Sequence, residues 1–224
     1  MTRSINFSEG EFYHIYNRGT EKRKVFLSTR DYDRFVILLY LCNSNNPVHI
    51  SAQGKSIDDL FNVEISGELV SVGAYCLMPN HFHLLLKEKS ENGISRFMQK
   101  LTTGYTMYFN KRNDRTGTLF QGVFKAEHAD KDEYLKYLFA YIHLNPIKLI
   151  NQTWKENGIK NKTHAEKFLE SYKYSSYLEY SSKVNRKEKV ILDIKEFPEY
   201  FEGTNDFHKM IKFWIDFKNS TNNL

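Results

Sequence analysis

An α+β fold, with an antiparallel sheet, helices packed on one face and a C-terminal helical extension, is what the sequence predicts. Three observations predict it. Segments of period-two and period-three-to-four apolar spacing alternate in the order strand, helix, strand, strand, helix, strand, helix. The two middle strands are joined by a short Pro-Asn turn and so form a hairpin. No segment repeats another, and the order matches the split arrangement of ferredoxin-like sheets. The third observation is a change of character after Pro146, where the chain turns polar with scattered aromatic anchors. It divides the chain into a main domain, 1–150, and a partly helical extension, 151–224.

The first strand is Glu11-Phe12-Tyr13-His14-Ile15-Tyr16-Asn17, which alternates bulky side chains with others and ends in the turn residues Asn17-Arg18-Gly19-Thr20. A basic loop carrying Arg18, Lys22, Arg23 and Lys24 follows. Phe35, Leu38, Leu39 and Leu41 then recur at helical spacing behind an acidic start, so a helix begins near Ser28 or Thr29. From Asn43 to Ser66 the periodicity is lost, apart from a short helix expected at Ile57 to Phe61. The Gly54-Lys55-Ser56 tripeptide there lacks the upstream glycine of a phosphate-binding loop, so no nucleotide cofactor is expected.

Glu68 to Leu77 and His81 to Lys87 form the hairpin. Gly93 to Lys111 carries Ile94, Phe97, Met98, Leu101, Tyr105, Tyr108 and Phe109 on one stripe and reads as a long helix. Arg115 to Lys125, with its glycine punctuation and aromatic residues, reads as a loop and strand returning to the sheet. Asp130 to Asn145 is the next helix, expected to stop at Asn145-Pro146 because a residue before proline is disfavoured in the helical region. Trp154, Tyr172, Tyr174 and Tyr177 anchor the extension, and an amphipathic helix lies around Phe207 to Phe217.

With 41% hydrophobic and 15% aromatic residues, the 224-residue chain has the composition of a globular protein with a sizeable core. No apolar run approaches the ~18 residues of a membrane helix, so no membrane partner is expected. Met1 to Glu11 is polar and lacks the apolar centre of a signal peptide, which makes the cytoplasm the expected compartment. Cys42 and Cys76 match no metal or redox spacing and read as small core residues. The net charge of +5 is compatible with a polyanionic partner without requiring one.

Two constellations could carry chemistry. In a strand, His81 and His83 share one face while Phe82, Leu84 and Leu86 take the other, so both imidazoles can reach a single ion. Two histidines satisfied on a half-buried sheet face explain the pair equally well. Tyr141 and Asn145 lie one helical turn apart on the same face. A core tyrosine ahead of a helix-terminating asparagine is the alternative there.

Taken together, M-P-N-H-F-H-L-L-L at 78–86, F-Q-G-V-F-K at 120–125 and Y-I-H-L-N-P at 141–146 resemble the motifs of single-tyrosine HUH (IS200-like) transposases. The likeness is greatest to the REP-associated tyrosine transposases, and Y-H-I-Y-N-R-G at 13–19 and Y-S-S-Y at 174–177 fit the same family. The resemblance implies that His81 and His83 are metal ligands, that Asn145 completes their site, and that Tyr141 is the nucleophile that becomes joined to a DNA 5′ phosphate. Two imidazoles, an amide oxygen and waters suit Mg2+ or Mn2+ better than a closed zinc site. The implied partner is single-stranded or hairpin DNA, contacted by Arg18, Lys22, Arg23, Arg112, Arg115 and Lys125. Relatives work either as homodimers that complete each site in trans or as monomers.

Other readings accompany these. Tyr105, Tyr108, Tyr134 and Tyr137 are explained by helix packing, His143 is structural or DNA-facing, and Glu127 and His128 are candidates to support the ligands. Against the enzyme stands a catalytically inactive or domesticated nucleic-acid-binding protein acting on repeated palindromes.

Overall fold

The computed structural model describes residues 6–47, 57–181 and 185–220; the Gly54-Lys55-Ser56 tripeptide and Met1 to Ile5 lie outside the described residues. Strands β1 (Phe12–Arg18), β2 (Val70–Met78), β3 (His81–Glu88) and β4 (Lys125–His128) form one sheet in the order β2-β3-β1-β4, antiparallel throughout. This is the order expected of the ferredoxin-like arrangement. Helices α1 (Thr29–Leu41), α2 (Ile57–Leu60), α3 (Gly93–Arg112) and α4 (Asp132–Leu144) fall where the apolar spacing places them. The last strand is short: most of Arg115 to Lys125 is loop, and β4 starts only at Lys125.

Local chemistry fixes the ends of these elements. Ser28 and Asp31 close a capping box at the start of α1, with Asp31 Oδ2 accepting from the Leu27 and Ser28 amides at 2.8 and 2.9 Å. Pro79 and Asn80 turn the hairpin, and the Pro79 carbonyl accepts from the amides of Val25 and Phe26 at 2.8 and 3.1 Å. Those bonds tie the basic loop to the hairpin tip.

Strand alternation then sorts the core into two layers. Tyr13 and Ile15 of β1, Val72, Tyr75 and Leu77 of β2, and Phe82, Leu84 and Leu86 of β3 pack with α1 and α3. Ala74, Cys76, Met78 and Leu85 face the other way, against Leu135, Leu138, Phe139 and Ile142 of α4. The expectation of helices on one face therefore holds for α1 and α3 and is corrected for α4. β2 is buried along its whole length, so apolar side chains on both of its faces need a covering layer.

The extension adds α5 (Trp154–Asn157), α6 (Lys162–Ser171), α7 (Tyr177–Ser181) and α8 (Thr204–Ser220). Trp154, Leu169, Tyr177, Phe197, Phe207 and Ile211 join the cluster formed by α4 and β2. The Y-S-S-Y segment lies along β2: the Leu77 amide donates to the Tyr174 carbonyl at 2.8 Å and the Ser176 amide to the Tyr75 carbonyl at 3.0 Å. It covers the backbone edge that the sheet would otherwise leave open. Gly73 sits at the bulge of β2, where an added Cβ would fall 2.6 Å from the Phe197 ring. Only a glycine lets that ring close over the strand.

α4 stops at Leu144, before Asn145-Pro146 as expected, but not for the expected reason, that Asn145 leaves the helical region. Asn145 keeps helical angles, φ −55° and ψ −38°, and the chain continues as a 3-10 turn over Asn145–Leu149. Pro146 is tolerated because it sits at the start of the new turn, where its missing N–H costs no hydrogen bond. Cys42 and Cys76 are both free and buried. Among the described residues no helix is long and apolar enough to cross a membrane.

Candidate active site

β3 presents His81 and His83 to the face covered by α4, opposite to Phe82, which is buried against α1. His81 Nδ1 lies 2.6 Å from Asn80 Oδ1. A carbonyl oxygen can only accept, so the proton is on Nδ1 and Nε2 carries the lone pair. His83 Nδ1 lies 2.9 Å from His14 Nε2, and the two rings stack with centroids 5.1 Å apart. His14 comes from β1, diagonal to His83 across the register in which Tyr16 opposes His83 and Arg18 opposes His81.

On the far side of His14, its Nδ1 is 3.8 Å from Glu127 Oε2 on β4. Tyr16 donates to Glu127 Oε1 and Tyr134 to Oε2, both at 2.8 Å. Burial would raise the Glu127 carboxyl, but these hydroxyls and the imidazole hold it below its ordinary range. Tyr134 is thereby engaged with the carboxylate rather than offered to a substrate.

α4 brings Tyr141 over this pair. The Tyr141 ring meets that of His83 edge to face, with centroids 5.4 Å apart, and that of His14 at 5.7 Å. Asn145, one turn later, lies near enough to the His81 imidazole to favour its protonated form slightly, and donates to the Tyr141 carbonyl at 3.5 Å. The helix is held in place from behind by His143. It is fully buried, with Nδ1 donating to the Phe139 carbonyl at 2.8 Å and Nε2 paired with Ser176 Oγ at 2.7 Å. Of the two roles expected for His143, the buried contacts select the structural one.

Charge at the site is set by burial and two lysines. Burial pushes His81 down to about 4, with the positive charges of Lys148 and Lys155 adding to it. His83 is held well below its ordinary range by burial and its imidazole neighbours. Burial takes His14 to about 4 against the pull of Glu127. All three rings are neutral at pH 7, the form in which imidazole can bind a metal. Lys155 of α5 places its ammonium 4.0 Å from the centroid of the Tyr141 ring.

The basic residues separate into two groups. Arg18 lies beside His81, its Nε donating to Gln121 Oε1 at 2.6 Å, and Lys125 starts β4. Lys22 and Arg23 flank the hairpin tip: the Lys22 carbonyl accepts from Asn80 Nδ2 at 3.2 Å and Arg23 pairs with Glu21 at 3.1 Å. Arg112 and Arg115 lie elsewhere, at the end of α3 on the opposite face of the sheet. Arg112 is ion-paired with buried Asp31, and Arg115 donates to Asn110 Oδ1 at 2.7 Å.

Sequence reasoning missed His14, Lys148 and Lys155. The alternation of β1 put His14 and Tyr16 on one face, but only the strand register carries His14 to His83. Nothing in the pattern after Pro146 marked a lysine for the site. His128, a candidate support, instead pairs with Glu11 at 2.9 Å and stacks on Tyr13.

Among the described residues no three His, Cys, Asp or Glu side chains converge as a metal site, so the candidate donors are two imidazoles and one amide. No curated protein sequence matches the chain. Among solved structures, a REP-associated tyrosine transposase bound to a REP hairpin superposes with a TM-score of 0.51 at 11% identity, over 84% of this chain and 90% of its own. That likeness shows a shared fold. The sequence model of the family described as "Transposase IS200 like" matches residues 13–145, from Tyr13 in β1 to Asn145, and so spans His81, His83 and Tyr141. The chain therefore belongs to the IS200-like transposases.

Proposed function

We propose that the chain is a metal-dependent strand transferase that cleaves and rejoins single-stranded or hairpin DNA through a 5′-phosphotyrosine at Tyr141. The observation that carries this reading is the meeting of Tyr141 with His83 in one chain, while Asn145, at the end of the same helix, lies near His81. His81 and His83 are neutral, their Nδ1 atoms are occupied by Asn80 and His14, and an amide stands beside them. This donor set fits Mg2+ or Mn2+ held by two imidazoles, Asn145 and water. When bound, such an ion neutralises charge on the scissile phosphate and aligns it for in-line displacement.

The residues divide the work. The Tyr141 oxygen attacks phosphorus, the bond to the 3′ oxygen breaks, and loss of the phenolic proton is balanced by protonation of the released 3′ oxygen to a hydroxyl. The tyrosine ester keeps the energy of the broken bond, so rejoining by a 3′ hydroxyl needs no nucleotide. Lys155 faces the phenol ring and supplies positive charge where tyrosinate and phosphate charge develop. Arg18, Lys22, Arg23 and Lys125 border the site and suit backbone phosphates, which fix the strand without reading its sequence.

The hairpin bound by the structurally similar transposase supports hairpin DNA as the substrate class. Both ligands and the nucleophile come from one chain, which supports a site complete in cis. A DNA substrate agrees with the cytoplasmic location expected from the sequence. The test is a hairpin oligonucleotide with a 3′ single-stranded flank, incubated with Mn2+ and resolved under denaturing conditions. The wild type should form a covalent adduct, and Tyr141→Phe should bind the hairpin without forming one. An adduct that survives the substitution refutes the nucleophile, and a wild type that binds but never cleaves favours the binding-only protein.

A further inference from the structure

Behind His83 runs a line of polar groups: Glu127 of β4, His14 of β1, then His83 of β3. We propose that His14 and Glu127 are positioning residues that fix His83 as the tautomer protonated at Nδ1, so that its Nε2 is the atom presented to a divalent cation. The inference rests on the reading of His81 and His83 as ligands.

The direction of the line follows from its outer end. Glu127 accepts hydrogen bonds from Tyr16 and Tyr134, each at 2.8 Å, which orients both carboxylate oxygens. At 3.8 Å from Oε2, His14 Nδ1 has an electrostatic contact and no hydrogen-bond partner of its own. A lone pair there would face a carboxylate, whereas an N–H would face it favourably, so the proton sits on Nδ1. His14 Nε2 is then the acceptor, and His83 Nδ1 must donate across the 2.9 Å contact. Reversing the line would place a proton on His83 Nε2 and remove the donor atom.

Burial makes this arrangement consequential, because His14 is 4% and His83 6% exposed and little water can rescue either ring. The neighbouring ligand shows the same solution by simpler means: Asn80 Oδ1 holds the proton of His81 on Nδ1. Outer partners of this kind orient metal-binding imidazoles, and their loss typically costs about 10- to 100-fold in metal affinity. The energetic logic is local. Among the described residues the hydrogen-bond partner of His83 Nδ1 is His14 Nε2, and β1 supplies it.

The experiment uses the full chain labelled with 15N-histidine, without metal or DNA, and two-bond nitrogen–proton correlations to read each ring's tautomer. His83 should be protonated at Nδ1 in the wild type, and His14→Phe should give a tautomer mixture. Mn2+ binding followed by electron paramagnetic resonance should weaken about 10- to 100-fold in His14→Phe and Glu127→Ala. His14→Gln, whose amide oxygen can accept from His83 Nδ1, should restore most of that loss, which a purely packing role would not predict. A wild-type His83 protonated at Nε2 overturns the inference, as does unchanged Mn2+ affinity in both His14→Phe and Glu127→Ala. If His83→Ala leaves Mn2+ binding intact, the ligand reading itself fails, while the tautomer measurement still decides whether the line exists.

Discussion

His83 and Tyr141 meet edge to face, their ring centroids 5.4 Å apart and their planes at 85°. One belongs to the central region of the sheet and the other to a helix that returns across that sheet much later in the chain. Burial of β2 on both faces requires α4 to lie where it does, and His143 paired with Ser176 holds it there. The position of Tyr141 is thus a by-product of covering the sheet.

His81→Ala and His83→Ala should each leave hairpin binding within a few-fold of wild type while reducing adduct formation by at least about 100-fold, since a Lewis acid contributes several kcal/mol. Chelation should do the same to the wild type, reversibly on adding Mn2+. Anisotropy with a labelled hairpin and a denaturing gel separate the two effects. Full cleavage by either variant at saturating Mn2+ contradicts the ligand assignment.

Lys155→Met should lower the single-turnover rate of adduct formation by about 10-fold, with hairpin affinity little changed, because the cation next to the Tyr141 ring is lost. Lys155→Arg keeps the charge and should retain much of the rate. Equal losses in both variants would point to packing of α5 instead.

Arg18→Ala and Arg112→Ala should behave oppositely, although both were expected to contact DNA. Arg18 is exposed beside His81, so its loss should weaken DNA binding and reduce the salt dependence by about one phosphate contact. Arg112 pairs with Asp31, which is 1% exposed at the first turn of α1. Its loss leaves a buried carboxylate short of a partner, so the melting temperature should fall by several degrees with DNA affinity unchanged. A salt titration and a thermal melt on each variant decide the matter.

Stability should fall on acidification between pH 6.5 and 4. His14 and His81 are shifted from 6.5 to about 4 by burial, and His143 to about 3. The unfolded chain therefore takes up protons near 6.5 that the folded chain takes up only below about 4, and stability drops by about 1.4 kcal/mol per pH unit for each extra proton. Glu179 opposes them: burial raises it from 4.5 to about 7, so its contribution is full below 4.5 and is lost as pH rises through 7. Three histidines outweigh one carboxyl, so denaturant midpoints should be lower at pH 5 than at pH 7.5. Equal midpoints would contradict the buried, neutral imidazoles.

Much of this protein was legible in one dimension. The alternation in β1 and β3, the Pro79-Asn80 turn and the stripe of α3 are local patterns, and they yielded the strands, the helices and the sheet order. The side of the sheet taken by α4 was not legible, although the apolar run Ala74 to Met78 of β2, with bulky side chains on both faces, carries the signal for a second layer. The end of α4 at Asn145-Pro146 was legible but not the backbone there: a residue before proline disfavours helix on average, yet Asn145 keeps helical angles because the 3-10 turn that follows accommodates Pro146.

By itself the sequence determined which side chains share a face, because periods of two and about 3.6 are properties of the backbone. That was enough to pair His81 with His83 and Tyr141 with Asn145 and, through their motifs, to suggest the family. Tertiary structure alone decided that the two pairs meet, that His14 and Glu127 stand behind His83, that Lys155 comes from the extension, and that Arg112 serves α1. Those contacts depend on strand register and on how a helix layer seats on a sheet. Both are set by packing between residues far apart in the chain, which no local pattern records.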